Sequence, residues 1–88
     1  MPANVRLRVT VRYFAAARAA AGTGTEMIDL PADATLANLV AALQSRDAGL
    51  ATVLARCSYL CDGVAVRDRD MTLNADQTID VLPPFAGG

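Results

Sequence analysis

From Val5 to Tyr13 the chain reads VRLRVTVRY and alternates apolar and polar side chains without a break. Val5, Leu7, Val9, Val11 and Tyr13 share one face, while Arg6, Arg8, Thr10 and Arg12 share the other. A period of two belongs to a strand that is half-buried in a sheet. Its five apolar side chains need a covering layer, so the chain must supply one. The arginine face could form a binding patch, although a solvated sheet face is the simpler reading.

The covering layer is found in PADATLANLVAALQSRD. Leu36, Leu39, Val40 and Leu43 fall at i, i+3, i+4 and i+7, which makes one apolar helical stripe. Thr35 stands just before it as an N-cap candidate. A second stripe, Leu50, Val53, Leu54 and Cys57, predicts a short helix or turn.

Strand signals fill the remainder. AAARAAAG after the first strand is a short helical turn closing at Gly22. TEMIDL reads as a second strand, paired with the first through a long-looped hairpin. YLCDGVAV is two short strands about Asp62-Gly63, a strong two-residue hairpin signal. RDRD reads as a solvated loop and NAD as a turn. QTIDVL is the last strand, with Ile79 alternating against Asp80.

The order β-β-α-(α)-β-β-β implies an α+β two-layer fold, a mixed sheet covered on one face by a main helix plus short helical segments. The last strand can lie parallel to the first because the intervening helix provides the crossover. That architecture is a β-grasp, as in ubiquitin. It is expected to occupy residues 1–82, and residues 83–88 are expected to form an extended, flexible tail.

Composition narrows the function classes. A chain of 88 residues with 53% hydrophobic content can bury one core but little in the way of an enclosed active site. The formal net charge of −1 gives no general nucleic-acid footprint. No apolar run approaches the ~18 residues of a membrane span, and MPANVRLRV lacks the features of a secretory signal. A cytoplasmic protein with neither nucleic-acid nor membrane partners is therefore expected. All eight basic residues are Arg, so no side chain can serve as a Schiff-base amine. His is absent, which removes the usual general base and metal ligand. No metal site is expected from Cys57 and Cys61 alone, because structural zinc takes four ligands. Two buried, inert thiols are the favoured reading, with a redox role left open.

The last residues are LPPFAGG. Pro83 and Pro84 fix φ and favour an extended, polyproline-like exit, so little entropy is lost when the tail docks. Six extended residues reach roughly 20 Å. Gly87 and Gly88 lack side chains and can thread a narrow tunnel, which delivers the terminal carboxylate at its far end. Attack of that carboxylate on the α-phosphate of ATP makes an acyl-adenylate, and sulfur, an amine or a thiol can then displace AMP. On this reading the chain carries the group and its partners supply the catalysis.

VRYFAAAR, GTEMIDLPADATLANLVAAL and VLPPFAGG together resemble the MoaD-like small subunits of molybdopterin synthase, ubiquitin-like sulfur carriers related to ThiS. The likeness covers essentially the whole chain and is sharpest at YFAAAR and PPFAGG. It departs at Asp62-Gly63, where the family often has Asn-Gly; either pair makes the same turn.

The resemblance implies that a MoeB-like adenylating enzyme activates Gly88 with ATP and that a sulfurtransferase supplies sulfur to make a thiocarboxylate. The tail then enters a MoaE-like large subunit in a heterotetramer and gives its sulfur to cyclic pyranopterin monophosphate. The chain is non-catalytic alone and binds no cofactor; ATP and the sulfur donor belong to the activating partner. Gly88 bears the sulfur, Gly87 is its slim neighbour, and Pro83, Pro84, Phe85 and Ala86 line the tail. Phe85 is either an anchor in the large subunit or a final core residue. Arg18 is a weaker interface candidate or a solvated helix charge. The alternatives are a ThiS-like carrier for thiamine thiazole or another sulfur metabolite, a covalent protein modifier, and a plain interaction module.

Overall fold

The alternating segment forms the strand it predicts. In the computed structural model, which describes residues 6–84, β1 (Arg6–Tyr13) runs through the sheet with Leu7, Val9, Val11 and Tyr13 buried. After it come α1 (Ala15–Ala21), β2 (Thr25–Pro31), α2 (Leu36–Gln44), α3 (Ala48–Leu54), β3 (Ser58–Cys61), β4 (Val64–Ala65) and β5 (Thr78–Leu82). Val5, expected on the inner face, lies outside the described residues.

The strands are ordered β2-β1-β5-β3-β4. β1 pairs antiparallel with β2, with Val9 opposite Ile28, and parallel with β5, with Val11 opposite Ile79. β3 lies antiparallel on the other side of β5. This mixed sheet with a central parallel pair is the β-grasp, an α+β fold. Its two central strands contribute Val9, Val11, Ile79 and Val81 to the core, facing Leu36, Leu39 and Leu43 of α2 and Leu50 and Leu54 of α3. Truncating one of these leucines to Ala costs about 2–5 kcal/mol.

Local chemistry sets the element ends. Thr35 accepts from the Asn38 backbone N–H at 3.1 Å, and the Asn38 side chain accepts from the Thr35 N–H at 2.9 Å. This reciprocal box starts α2. Asp47 accepts from the Leu50 N–H at 2.8 Å, so the second stripe resolves as a true helix. Gly22, at φ 79°, closes α1 in the left-handed conformation that glycine adopts without strain. Asp62 and Gly63 both have positive φ, 49° and 84°, as a two-residue turn matched to strand twist requires.

Asp80 alternates against the inward-facing Ile79 as expected, yet it is only 7% exposed because the Arg12 side chain of the neighbouring strand lies over it. The RDRD segment is an exposed loop, as expected, and Arg69 in it also makes structural contacts. Arg69 stacks 4.8 Å over the Tyr59 ring and donates to the Cys57 carbonyl at 3.2 Å. The Arg69 carbonyl in turn accepts from Ala37 at 2.8 Å, satisfying a free N–H in the first turn of α2.

Candidate functional site: the tail root and the open sheet face

β5 is covered on one face by the helices and open on the other. Ile79 and Val81 point into the core, whereas Thr78, Asp80 and Leu82 alternate onto the open face. The strand ends at Leu82, opposite Ser58 of β3, and the Val81 carbonyl accepts from the Phe14 N–H at 3.2 Å. That bond ties the end of β5 to the start of α1, so the tail leaves the body beside the YFAAAR segment. Pro83 and Pro84 follow outside any strand, Pro83 half-buried and Pro84 exposed. With Ala16, Thr52, Val53 and Arg56 they line a groove of about 390 Å³ between α1 and α3. Phe85, Ala86, Gly87 and Gly88 lie outside the described residues.

Arg18 is exposed, and its side chain lies over Gly24, just before β2. A side chain built at Gly24 would come within 3.4 Å of the Arg18 Nε, so Gly24 leaves the space in which that side chain lies. Among the described residues Arg18 takes part in no ion pair. It lines a surface cleft of about 400 Å³ together with Arg12, Phe14 and Thr25. Arg18 does not line the groove at the tail root; it shares its cleft with Arg12 and Phe14, residues that the sequence reading did not single out.

Phe14 is the clearest of these. It follows the inward-facing Tyr13 and is 38% exposed. The out-of-phase aromatic was legible in the alternation as a side chain facing away from the core. Arg12 sits 5.4 Å from the centre of its ring. Arg12 also donates to Asp80 through Nε at 2.7 Å and Nη2 at 3.2 Å. The next residue, Ala15, has φ 49°, a strained conformation for a side chain with a Cβ. The turn that pushes Phe14 outward is therefore held against a local cost.

The two thiols match the inert reading. Cys57 and Cys61 are free and buried, and burial raises both thiols above their ordinary pKa. Cys57 Sγ donates to the Val53 carbonyl at 3.2 Å. Cys57 is nearer the tail root in space than in sequence, because the next residue, Ser58, pairs with Leu82. Its sulfur nevertheless points into the core. No cluster of three or more potential metal ligands occurs among the described residues. No helix among them is long and apolar enough to cross a membrane.

Through Pro84 the structure is a β-grasp body whose last strand ends beside an open sheet face. Solved structures share the fold. A Haloferax volcanii protein, HVO 2177, is 26% identical with a TM-score of 0.83, covering 94% of this chain and 88% of that one. A chain in the complex of subunits 1 and 2 of the molybdopterin-converting factor from Helicobacter pylori is 27% identical with a TM-score of 0.70, covering 93% and 100%. Small archaeal modifier protein 1 from Methanosarcina acetivorans, at 22% identity and a TM-score of 0.80 over 97% and 100%, shares the fold. A search of curated proteins finds no significant match. The family model that matches is that of the ThiS family, over residues 11–88. With that span of the chain matched, the chain belongs to the ThiS family, as a MoaD/ThiS-like, ubiquitin-like sulfur carrier.

Proposed function

We propose that the chain is the sulfur-carrying small subunit of molybdopterin synthase, a β-grasp body over residues 1–82 with a working tail over 83–88. The observation that carries this reading is the exit of Pro83-Pro84 from the end of β5, beside the open face and directed by proline, with FAGG still to follow. The likeness to the Helicobacter pylori subunit complex supports a large-subunit partner.

The chemistry needs nothing from the body except presentation. The Gly88 carboxylate attacks the α-phosphate of ATP in an activating enzyme, and pyrophosphate leaves. Sulfide-level sulfur from a donor attacks the acyl carbon and AMP leaves, giving the thiocarboxylate. Gly87 and Gly88 pass into the large subunit, where the thiocarboxylate sulfur bonds to a pyranopterin carbon and water cleaves the resulting thioester, leaving the sulfur on the pterin and regenerating the carboxylate. Ala86 and Phe85 follow them in, with Phe85 as the anchor, because a buried aromatic is the usual centre of interface affinity. ATP-dependent activation fits a cytoplasmic protein.

The test is the intact mass of the chain after incubation with ATP, a sulfur donor and the activating enzyme. A gain equal to replacing one oxygen by sulfur, localised to Gly88, is expected; an unchanged mass overturns the carrier reading. The matching family model favours one second reading, a ThiS-like carrier for the thiamine thiazole. Adding the large subunit and the pyranopterin to the thiocarboxylated chain separates the two, since only the first reading expects product.

A further inference from the structure

Among the ion pairs of the described residues, Arg12–Asp80 has the most covered carboxylate, 10% exposed against 20% for Glu26 and 49% for Asp29. Arg8 and Asp29 bond at 2.8 Å with side chains 59% and 49% exposed, an ordinary surface pair. Asp80 is 10% exposed by side chain, while Arg12 above it remains 50% exposed. The covered carboxylate therefore serves to hold the guanidinium, which still faces outward. Asp80 occupies two of the five guanidinium N–H donors, through Nε and Nη2, and three are left for something else. An arginine held in this way has already lost its rotamer freedom before a partner arrives.

Arg12 lines one cleft together with Arg18 and Phe14, and its guanidinium lies 5.4 Å from the centre of the Phe14 ring. No acidic side chain lines the cleft, although the whole chain has a net charge of −1. Two oriented cations beside an exposed ring suit a carboxylate whose methylene stem lies on the aromatic.

We propose that the cleft between Arg12 and Arg18 is a carboxylate receptor for the protein that takes the tail. An Asp or Glu side chain on that partner's surface seats between the two guanidinium groups, against Phe14. Asp80 is a positioning residue that keeps Arg12 aimed at it. The inference rests on the reading above that a large subunit receives the tail, and it adds the chemistry by which that subunit is recognised.

The experiment is calorimetric titration of the chain with the purified large subunit of molybdopterin synthase from the same genome, at low and high salt. Arg18→Gln is one variant, chosen because Arg18 forms no ion pair among the described residues, so folding is not at stake. The double variant Arg12→Leu/Asp80→Leu removes the pair without leaving a covered charge alone, an exchange that proteins generally tolerate. Each should weaken binding by roughly tenfold, the scale of a charged hydrogen bond, and should flatten the salt dependence. Asp80→Asn keeps the Arg12 charge but loosens its aim; it should weaken binding severalfold while leaving the salt dependence in place. Wild-type affinity and salt dependence in both Arg18→Gln and the double variant would overturn the receptor. Failure of the unchanged chain to bind the large subunit at all would instead overturn the functional reading, and the receptor with it.

Discussion

Tyr13 gives its phenolic hydrogen to Glu26 across 2.6 Å, at the outer edge of the sheet where β2 has no further neighbour. Glu26 also accepts from Arg46 Nη1 at 3.0 and 3.1 Å, just beyond the end of α2. The three residues tie β1, β2 and the helical layer together at one corner. An inward-pointing charge at an edge strand also discourages a further strand from adding there. Tyr13→Phe should lower stability by about 1–2 kcal/mol, because it removes one hydrogen bond to a charged acceptor that keeps its second partner. Urea unfolding checks this, and no measurable loss would show that Arg46 alone holds the corner. Sulfur loading at Gly88 should be unchanged in the same variant.

Alkaline pH should weaken the fold. Burial pushes the Tyr59 phenol up to about 12 and raises the Cys57 and Cys61 thiols above their ordinary values. A folded pKa above the unfolded one leaves stability intact below the unfolded value. That stability is lost as pH climbs toward the folded value, because only the unfolded chain releases the proton. Stability should therefore hold from neutral pH up to the ordinary thiol range near 9 and decline above it. Tyr59 should add a loss of up to about 1.4 kcal/mol per pH unit between about 10 and about 12. Denaturant midpoints across that range are the measurement, and midpoints that stay level would contradict the burial effect on these groups.

Replacing Cys57 and Cys61 together with Ala should leave sulfur loading intact. Both thiols are buried and pushed toward the neutral form, so neither is an activated nucleophile. A cost of about 1 kcal/mol per site is expected from lost packing. If the folded double variant accepts no sulfur at Gly88, a cysteine relay operates after all.

Deleting Gly88, or adding residues after it, should separate function from folding. Among the described residues, Val81 is the last buried strand residue of the core. The unfolding midpoint should shift by no more than about 0.5 kcal/mol, as for other surface changes. Thiocarboxylate formation and sulfur transfer should both disappear. Sulfur transfer by the truncated chain would refute the assignment of Gly88.

Local interactions were legible in the sequence because their partners are near in the chain. The alternation of β1, the stripe of α2 with its Thr35 cap and the Asp62-Gly63 turn all follow from spacings of a few residues. The β-grasp follows as well, since one long strand, one helix and one closing strand have few ways to bury a single apolar layer. The chemistry of the tail is an expectation drawn from PPFAGG itself. Tertiary structure alone decided which side chains meet on the open face of β5. Arg12 and Asp80 are 68 positions apart and meet only because β1 and β5 pair in parallel, in a register that puts one directly across from the other. The register also covers Asp80, which alternation places away from the core, with its neighbour's guanidinium. Arg69 gains its structural role in the same way, through a loop that folds back onto Tyr59 and the start of α2. Periodicity reports which face a side chain points to, but the residue that meets it there is chosen by strands and loops distant in sequence.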